Sequence, residues 1–164
     1  MLEVNIRSAK STDLERCFEI ERVAYAGDEA ATKEKILKRI KTYPEGFIVL
    51  ENKKEMIGFI NSGATHNVEL SDEAFKELIG HDASGKHIVI MSVVIHPDYQ
   101  GKSYTSLLMK YFIDTMRSMN KSEIYLICQT ELVNMYQNYG FVYLGESDSD
   151  HGGLSWHEMS LDLI

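Results

Sequence analysis

One stretch constrains the fold of this chain more than any other. Residues Ile88 to Ile95 form an almost unbroken apolar run, rich in β-branched side chains, that ends at His96-Pro97. Such a run is typical of a strand that is buried on both faces of a sheet. Because proline lacks an N–H group, the chain leaves the sheet there, and a polar loop leads into apolar positions at helical spacing from Tyr104 onward. The sequence therefore predicts a strand, a tight loop and a helix.

The start of this helix is a potential anion site. The first backbone N–H groups of a helix lack partners within it, and the helix dipole adds partial positive charge at the same end. A phosphate or pyrophosphate suits such a terminus. Spacing alone indicates this role only weakly, because many turns between a strand and a helix bind nothing.

Length and composition favour one globular domain over residues 1–164, with 44% apolar and 26% charged residues. No apolar run approaches the ~20 residues that span a bilayer. The N-terminus lacks the apolar core of a signal peptide, which predicts a cytoplasmic protein. The net charge of −8 argues against nucleic acid or an anionic membrane as a partner.

The cysteines and histidines do not indicate a metal site. Cys17 and Cys128 are expected to be free, buried thiols, because nothing in the sequence indicates export. The chain has no Cys-x-x-Cys motif, and a strand would place His157 and Glu158 on opposite faces. We therefore expect no metal cofactor.

The rest of the chain alternates helix and strand patterns. We predict a first helix from about Thr12 to Tyr25, with a capping box that starts at Thr12, and a second helix around 33–41 whose five basic residues face solvent. A hairpin at 47–60 and an irregular stretch at 64–86 precede the central strand. With the later strands, this order predicts a mixed α/β sandwich that has helices on both faces of one sheet.

The residues VVIHPDYQGKSYTSLLMKYF resemble the acyl-CoA loop of the GNAT N-acetyltransferase superfamily. In this family a Gln-x-x-Gly-x-Gly/Ala pattern follows the central strand, and backbone amides of the loop hold the CoA pyrophosphate. Gln100, Gly101 and Lys102 match the pattern. Ser103 and Thr105 stand where the family usually has glycine and glycine or alanine, which implies weakened rather than abolished CoA binding.

The resemblance covers most of the chain. MYQNYGF is similar to the family's second signature, and FEIERVAY and SDSDHGGLSWHEM resemble the arylalkylamine (serotonin-type) N-acetyltransferases and their bacterial relatives. This implies a GNAT-like fold, with a central mixed and mostly antiparallel sheet of about seven strands and helices on both faces. It also implies an enzyme that moves an acetyl group from acetyl-CoA directly to a small primary amine, either an arylalkylamine or a polyamine.

The resemblance assigns roles to individual residues. The main chain of the central strand would hold the pantetheine arm and polarise the thioester carbonyl, and the loop would hold the pyrophosphate. Tyr136 occupies the position of the tyrosine that protonates the departing thiolate, and a phenol is protonated at neutral pH. The residues implied to bind the cofactor are Val93, Val94, Ile95, Gln100, Gly101, Lys102, Ser103, Tyr104 and Thr105.

The general base is not assigned by the resemblance. Vertebrate arylalkylamine acetyltransferases carry a His-x-His pair on the central strand, where this chain has Val89 and Met91. Deprotonation of the amine then requires water or a group from elsewhere. The candidates are Glu29, His66, Asp150 and His151.

Acidic loops are expected on the acceptor side, where ion pairing would hold an ammonium group and aromatic side chains would cover its tail. The substrate-binding residues are predicted to be Tyr25, Glu29 and His151. Further candidates are Asp28, Asp148 and Asp150 for the ammonium group, and Phe47 and Trp156 for the tail.

Three alternatives stay open at this point. Cys128 could carry the acetyl group as a nucleophile, although no basic partner lies near it in the sequence. The chain could instead be a non-catalytic acyl-CoA-binding module, since both loop glycines and the histidine pair are replaced. It could also acetylate a peptide or protein. Either a monomer or a homodimer is compatible with the sequence.

Overall fold

The computed structural model describes residues 4–25, 30–53, 55–70, 73–148 and 155–164. Within these residues, seven strands form one sheet and four α-helices pack against it. The strands are β1 (Val4–Ser8), β2 (Ile48–Asn52), β3 (Glu55–Thr65), β4 (His87–Ile95), β5 (Glu123–Cys128), β6 (Val142–Glu146) and β7 (His157–Asp162). The helices are α1 (Leu14–Ala24), α2 (Lys33–Thr42), α3 (Tyr104–Ser118) and α4 (Val133–Asn138).

The sheet has the strand order β1-β2-β3-β4-β5-β7-β6. All neighbouring strands are antiparallel except β4 and β5, which run parallel. The parallel pair follows from the helical crossover, because α3 returns the chain to the end of the sheet at which β4 began. The predicted mixed, mostly antiparallel sheet of about seven strands is confirmed.

Two apolar cores lie on opposite faces of this sheet. On one face α1 and α2 bury Ile20 and Ile36 against Phe59. On the other face α3 buries Leu108 and Phe112. Each large apolar side chain removed from water contributes roughly 1.5–3 kcal/mol, so the two cores fix the helices on the sheet.

The prediction that β4 is buried on both faces is wrong in part: the strand contributes to both apolar cores, but its burial is not continuous. Ile88, Ile90 and Val94 are buried, whereas Val89 and Val93 are only half-buried. The reason is the limited pairing with β5, which covers three residue pairs and ends at Val89. Beyond that point, β4 keeps β3 as a neighbour on one side and has a cleft on the other.

Two predictions for the first helices are also wrong. Thr12 does not cap α1: the carboxylate of Asp13 accepts the N–H of Lys10 at 2.7 Å and pairs with Arg7 at 2.8 Å. One of the five basic residues of α2, Arg39, is buried rather than facing solvent.

The irregular stretch before β4 contains a short 3-10 helix at Glu73–Glu77. No helix within the described ranges is long and apolar enough to cross a membrane.

Candidate functional site

The loop between β4 and α3 is held by its own polar groups. His96 Nδ1 accepts the N–H of Asp98 at 3.1 Å, and Gln100 Nε2 donates to the carbonyl of Ile95 at 3.0 Å. Gly101 and Ser103 have φ angles of 76° and 68°, in the left-handed region that favours glycine. The serine at position 103 therefore keeps a backbone conformation that suits glycine.

Backbone donors are free at the start of α3. Among the described residues, no acceptor is found for the N–H groups of residues 101–106. Gly101, Lys102 and Ser103 are exposed, so these amides are open to a ligand. The predicted cofactor residues of the loop are thus brought together at a helix N-terminus, where an anion is stabilised.

Not every predicted loop residue is placed to contact a ligand through its side chain. Tyr104 is buried, and its ring packs edge-on against Tyr99. The Gln100 side chain is used inside the loop. The ammonium group of Lys102 lies 6.0 Å from the centre of the Tyr99 ring and stays at the surface. Thr105 is half-buried in the first turn of α3.

Replacing Ser103 with glycine is expected to tighten CoA binding. A left-handed conformation costs a residue with a Cβ atom about 1 kcal/mol, which lowers the population of the loop conformation seen here. Removing that cost corresponds to an affinity gain of up to about fivefold, measurable by calorimetry with CoA. Thr105→Ala is the control and should change the Kd by less than about twofold. Weaker binding by Ser103→Gly would contradict the argument and would assign the hydroxyl a contact with the ligand.

A cavity opens where β4 and β5 lose their pairing. It has a volume of about 130 Å³. Its wall is formed by both strands, α1, α2, α4, Glu69, Leu70, Phe75, Lys76 and Trp156. Its lining includes Glu21, Tyr25, Lys35, Arg39, Lys76, Val93, Cys128, Leu132, Tyr136 and Trp156. The predicted residues Tyr25, Val93, Tyr136 and Trp156 therefore meet in one place.

The predicted strand residues have different surroundings. The hydroxyl group of Tyr25 donates to the carbonyl of Val93 at 2.9 Å, which ties α1 to the open edge of β4. The Val94 side chain is buried in the core under α1 and α2. Ile95 is buried on the opposite face, and its carbonyl accepts the Gln100 side chain. Any contact of Val94 or Ile95 with a cofactor would therefore use the main chain.

Tyr136 lies on α4 and is buried in the cavity wall. Its ring packs edge-on against Tyr139 and Phe141. Burial raises the pKa of Tyr136 well above its usual value, and proximity to Tyr25 and Cys128 raises it further. The phenol therefore keeps its proton until a stronger base forms beside it.

A buried carboxyl group, which the sequence analysis missed, also lines the cavity. Glu21 on α1 is 1% exposed, and its Oε2 accepts the N–H of Ala31 at 3.1 Å. Its other oxygen, Oε1, has no hydrogen-bond partner in the part of the chain that the structure describes. Burial raises the pKa of Glu21, and this effect outweighs the opposing influence of the Ala31 N–H, Arg39 and Ser92.

The sequence carried a signal for both missed residues. Glu21 stands four residues after Cys17 and four before Tyr25, on the apolar stripe of α1. Arg39 stands three residues after Ile36, on the buried stripe of α2. A charged residue on the apolar face of an amphipathic helix is a candidate for a buried functional group.

Several predicted acceptor residues do not reach the cavity. Phe47 is buried in the core, where it stacks on Phe59. His66 lies at the surface beside Asp82, and Asp148 is exposed. These placements correct the predicted roles of Phe47, His66 and Asp148. Asp28, Glu29, Asp150 and His151 lie outside the described residues.

The described ranges contain no group of three or more His, Cys, Asp or Glu side chains that could hold a metal ion. Both ring nitrogens of His157 lie within hydrogen-bond distance of hydroxyl groups. Nε2 lies 2.8 Å from the hydroxyl of Thr130, and Nδ1 lies 2.9 Å from that of Tyr143.

Comparison with known proteins agrees with this geometry. The chain is 29% identical over 119 residues to an uncharacterized N-acetyltransferase, ycf52, of Gracilaria tenuistipitata var. liui, an alignment that covers 70% of this chain and 63% of that protein. The chain thus spans less than two thirds of the length of the curated relatives it matches.

Two solved structures share the fold over nearly the full length. The loading GNATL domain of CurA from Lyngbya majuscula has a TM-score of 0.87 at 18% identity, and the match covers 98% of both chains. The GphF GNAT-like decarboxylase in complex with isobutyryl-CoA has a TM-score of 0.85 at 16% identity, covering 98% of this chain and 100% of that one. The model of the acetyltransferase (GNAT) family matches residues 12–141, from the start of α1 through α4. Because that range covers most of the chain, including the loop and the open edge of β4, the chain belongs to the acetyltransferase (GNAT) family.

Proposed function

We propose that the protein binds acetyl-CoA and transfers the acetyl group directly to the primary amine of a small molecule. The observation that carries this proposal is the cavity at the separation of β4 and β5. It joins the unpaired edge of β4 to a buried phenol, Tyr136, and a buried carboxyl group, Glu21. A phenol and a carboxylate of this kind are the acid and the base that acetyl transfer to an amine requires.

Backbone groups of the loop before α3 and of the open edge of β4 support the binding of acetyl-CoA. The free amides of residues 101–106 suit the pyrophosphate, and the edge of β4 beyond Val89 offers main-chain groups to the pantetheine amides. The bound cofactor supplies an activated acetyl thioester. GphF, which has a similar fold, binds isobutyryl-CoA.

The two buried groups would complete the proton transfers of the reaction. The Glu21 carboxylate takes a proton from the acceptor ammonium, so that the amine nitrogen can attack the thioester carbon. A C–N bond forms and the C–S bond breaks. Tyr136 donates its phenolic proton to the departing thiolate. The nitrogen of the tetrahedral intermediate loses a second proton, which restores the Tyr136 phenol, and Glu21 releases the first proton to solvent, so one proton is released for each amide formed.

The acceptor would occupy the part of the cavity between α1, α2 and β5. Apolar side chains there, including Ile127, Leu132 and Trp156, fit an aromatic or aliphatic tail. An aromatic tail of this kind is shared by the arylalkylamines that the sequence resemblance suggests and by other small aromatic amines. A polyamine would instead bring a second cation toward Lys35 and Arg39.

Calorimetry with acetyl-CoA, followed by thiol release in the same preparation, tests the proposal. The acceptors are tryptamine, phenethylamine, spermidine, a mixture of free amino acids and a lysine peptide. Binding with turnover of a small amine is the expected result. Binding without turnover would favour a non-catalytic acyl-CoA-binding module, and turnover of the peptide alone would favour a peptide acetyltransferase. Absence of binding would overturn the proposal.

Cys128→Ala is expected to keep acetylation within about threefold of the wild-type rate. The thiol is buried beside Met159, and burial raises its pKa to about 11, so little thiolate exists at neutral pH. Its register partner on β7, His157, has both ring nitrogens hydrogen-bonded elsewhere. Steady-state kinetics check this, with mass spectrometry of the wild type after incubation with acetyl-CoA alone. Loss of turnover in a folded variant, or an acetylated Cys128, would establish the nucleophile instead.

A further inference from the structure

One wall of the cavity carries positive charge, although the protein as a whole has a net charge of −8. Lys35 and Arg39 reach the wall from α2, and Lys76 reaches it from the 3-10 helix Glu73–Glu77; Glu69 also lines the cavity. Lys76 pairs with Glu73 at 3.0 Å. Lys35 and Arg39 have no ion pair among the residues described by the structure, so this wall holds two cations without a carboxylate partner of their own.

Arg39 is held in place by neutral groups. Its Nε and Nη2 donate to the main-chain carbonyl of Lys76 at 3.2 and 3.1 Å, and Nη1 lies 3.5 Å from Oδ1 of Asn61. The residue is 3% exposed. Burial lowers the pKa of Arg39 only to about 10, so the guanidinium is positive at neutral pH. A buried cation held only by carbonyl and amide oxygens favours an anionic ligand.

Glu21 faces the same space with the opposite charge. Its Oε1 is unpartnered and buried, yet no direct ion pair joins it to Arg39 in the described chain. Asn61 contacts Arg39, and its register partner on β4, Ser92, interacts with Glu21. Buried opposite charges that remain apart cost folding free energy unless something polar bridges them.

We infer that the acceptor is a free amino acid, whose amine lies at Glu21 and whose carboxylate pairs with the cations of α2. This inference rests on the proposed acetyl transfer and names its substrate class. One ligand would then satisfy both buried charges, and its side chain would extend along the apolar wall at Leu132 and Trp156. A simple arylalkylamine leaves Arg39 without an anion, and a polyamine adds a like charge beside it.

Pairs of acceptors that differ only in the carboxylate test the inference. Tryptophan is compared with tryptamine, phenylalanine with phenethylamine, histidine with histamine and lysine with cadaverine, by thiol release at saturating acetyl-CoA. We expect at least one amino acid to exceed its decarboxylated partner in kcat/KM by about tenfold or more, as for a lost charged hydrogen bond. Equal or faster turnover of the decarboxylated amines would overturn the inference while the proposed acetyl transfer stands. Turnover of neither class would overturn both.

Two variants test whether Arg39 and Lys35 cause the preference for the amino acid over its decarboxylated partner. Arg39→Gln should abolish the preference for the amino acid, with circular dichroism as a check of folding. Lys35→Gln keeps the helix cap, because the cap uses only the backbone N–H of Lys35 and the hydroxyl of Thr32. It should raise the KM of the amino acid and so lower its kcat/KM advantage over the decarboxylated amine several-fold. Lys110→Gln, on the exposed side of α3, is the matched control and should leave the preference unchanged.

An unchanged preference in Lys35→Gln, together with an unchanged preference in any folded Arg39→Gln, would overturn the inference. Release of carbon dioxide from malonyl-CoA without an acceptor would also overturn it, because the cationic wall would then serve a carboxylate on the acyl group.

Discussion

Replacing Tyr136 with phenylalanine is expected to lower kcat about a hundredfold, while the Kd for acetyl-CoA changes by less than about twofold. The variant removes one hydroxyl group and keeps the ring that packs against Tyr139 and Phe141. The loss should therefore fall on the transition state, where the thiolate forms, and not on the binding of the cofactor.

The surroundings of Tyr136 explain why a phenol can protonate this thiolate. In water a thiol is a stronger acid than a phenol, which would make the transfer unfavourable. Inside this cavity burial weakens both acids: it raises the pKa of Tyr136 well above its usual value, and it raises the pKa of a thiol, as it does for Cys128, to about 11, so the proton must move as the C–S bond breaks. A CoA thiolate released beside Tyr136 would be similarly desolvated and would hold a proton more strongly than in water.

Tyr139→Phe is the matched control for this prediction. Tyr139 belongs to the same turn of the chain and touches the same ring, but it is only half-buried and does not line the cavity. Its variant should retain kcat within about threefold. The measurement is kcat under conditions in which chemistry limits turnover, with calorimetry for the Kd. An unchanged kcat in Tyr136→Phe would remove the acid role from this residue.

The part of the fold that the sequence predicts well is local. The strand, loop and helix around 88–111 have their apolar spacing, their proline and their glycine within a few residues of one another, and each acts on its immediate neighbours. The conformation of the loop is harder to predict, because nothing in the sequence indicates that Ser103 adopts a left-handed backbone angle.

The parts of the site that escaped prediction depend on distant contacts. Part of β4 is only half-buried because β5 pairs with just three of its residues and then separates from it. The apolar composition of β4 does not show where the two strands separate. The buried guanidinium of Arg39 donates to the main-chain carbonyl of Lys76, which lies 37 positions away in the sequence. A helical pattern gives the face on which such a residue lies, but not what covers that face.

Two of the residues predicted for the acceptor side, Tyr25 and Trp156, line the cavity, but the same predictions miss Glu21 for a related reason. They sought acidic and histidine residues in loops, where a charged residue is usually placed, and so gave Glu21 no role. The carboxyl group that lines the cavity lies within a helix, where it accepts the N–H of Ala31, two residues before α2. Its functional significance comes from one unpartnered oxygen, which only the three-dimensional arrangement exposes.

Glu21→Gln is expected to lower kcat/KM about a hundredfold at neutral pH, because it removes the proton acceptor and the negative charge that meets the ammonium. Glutamine has nearly the same shape, and its carbonyl oxygen can still accept the N–H of Ala31. Glu19→Gln is the matched control, since Glu19 lies on the exposed side of the same helix and does not line the cavity. It should retain kcat/KM within about threefold.

The pH dependence separates a base from a structural carboxylate. Burial raises the pKa of Glu21, so wild-type kcat/KM should fall as the pH decreases through this raised value, and Glu21→Gln should lack that acidic limb. Stability should follow the opposite sign. A carboxyl group with a raised folded-state pKa makes the fold lose stability as the pH rises from its unfolded-state pKa through its folded-state pKa, and the loss is complete above the latter, so the variant should unfold at no lower temperature than the wild type at pH 8. A Glu21→Gln variant that is folded and active, with the acidic limb intact, would show that Glu21 only anchors Ala31 and that the amine loses its proton to another group.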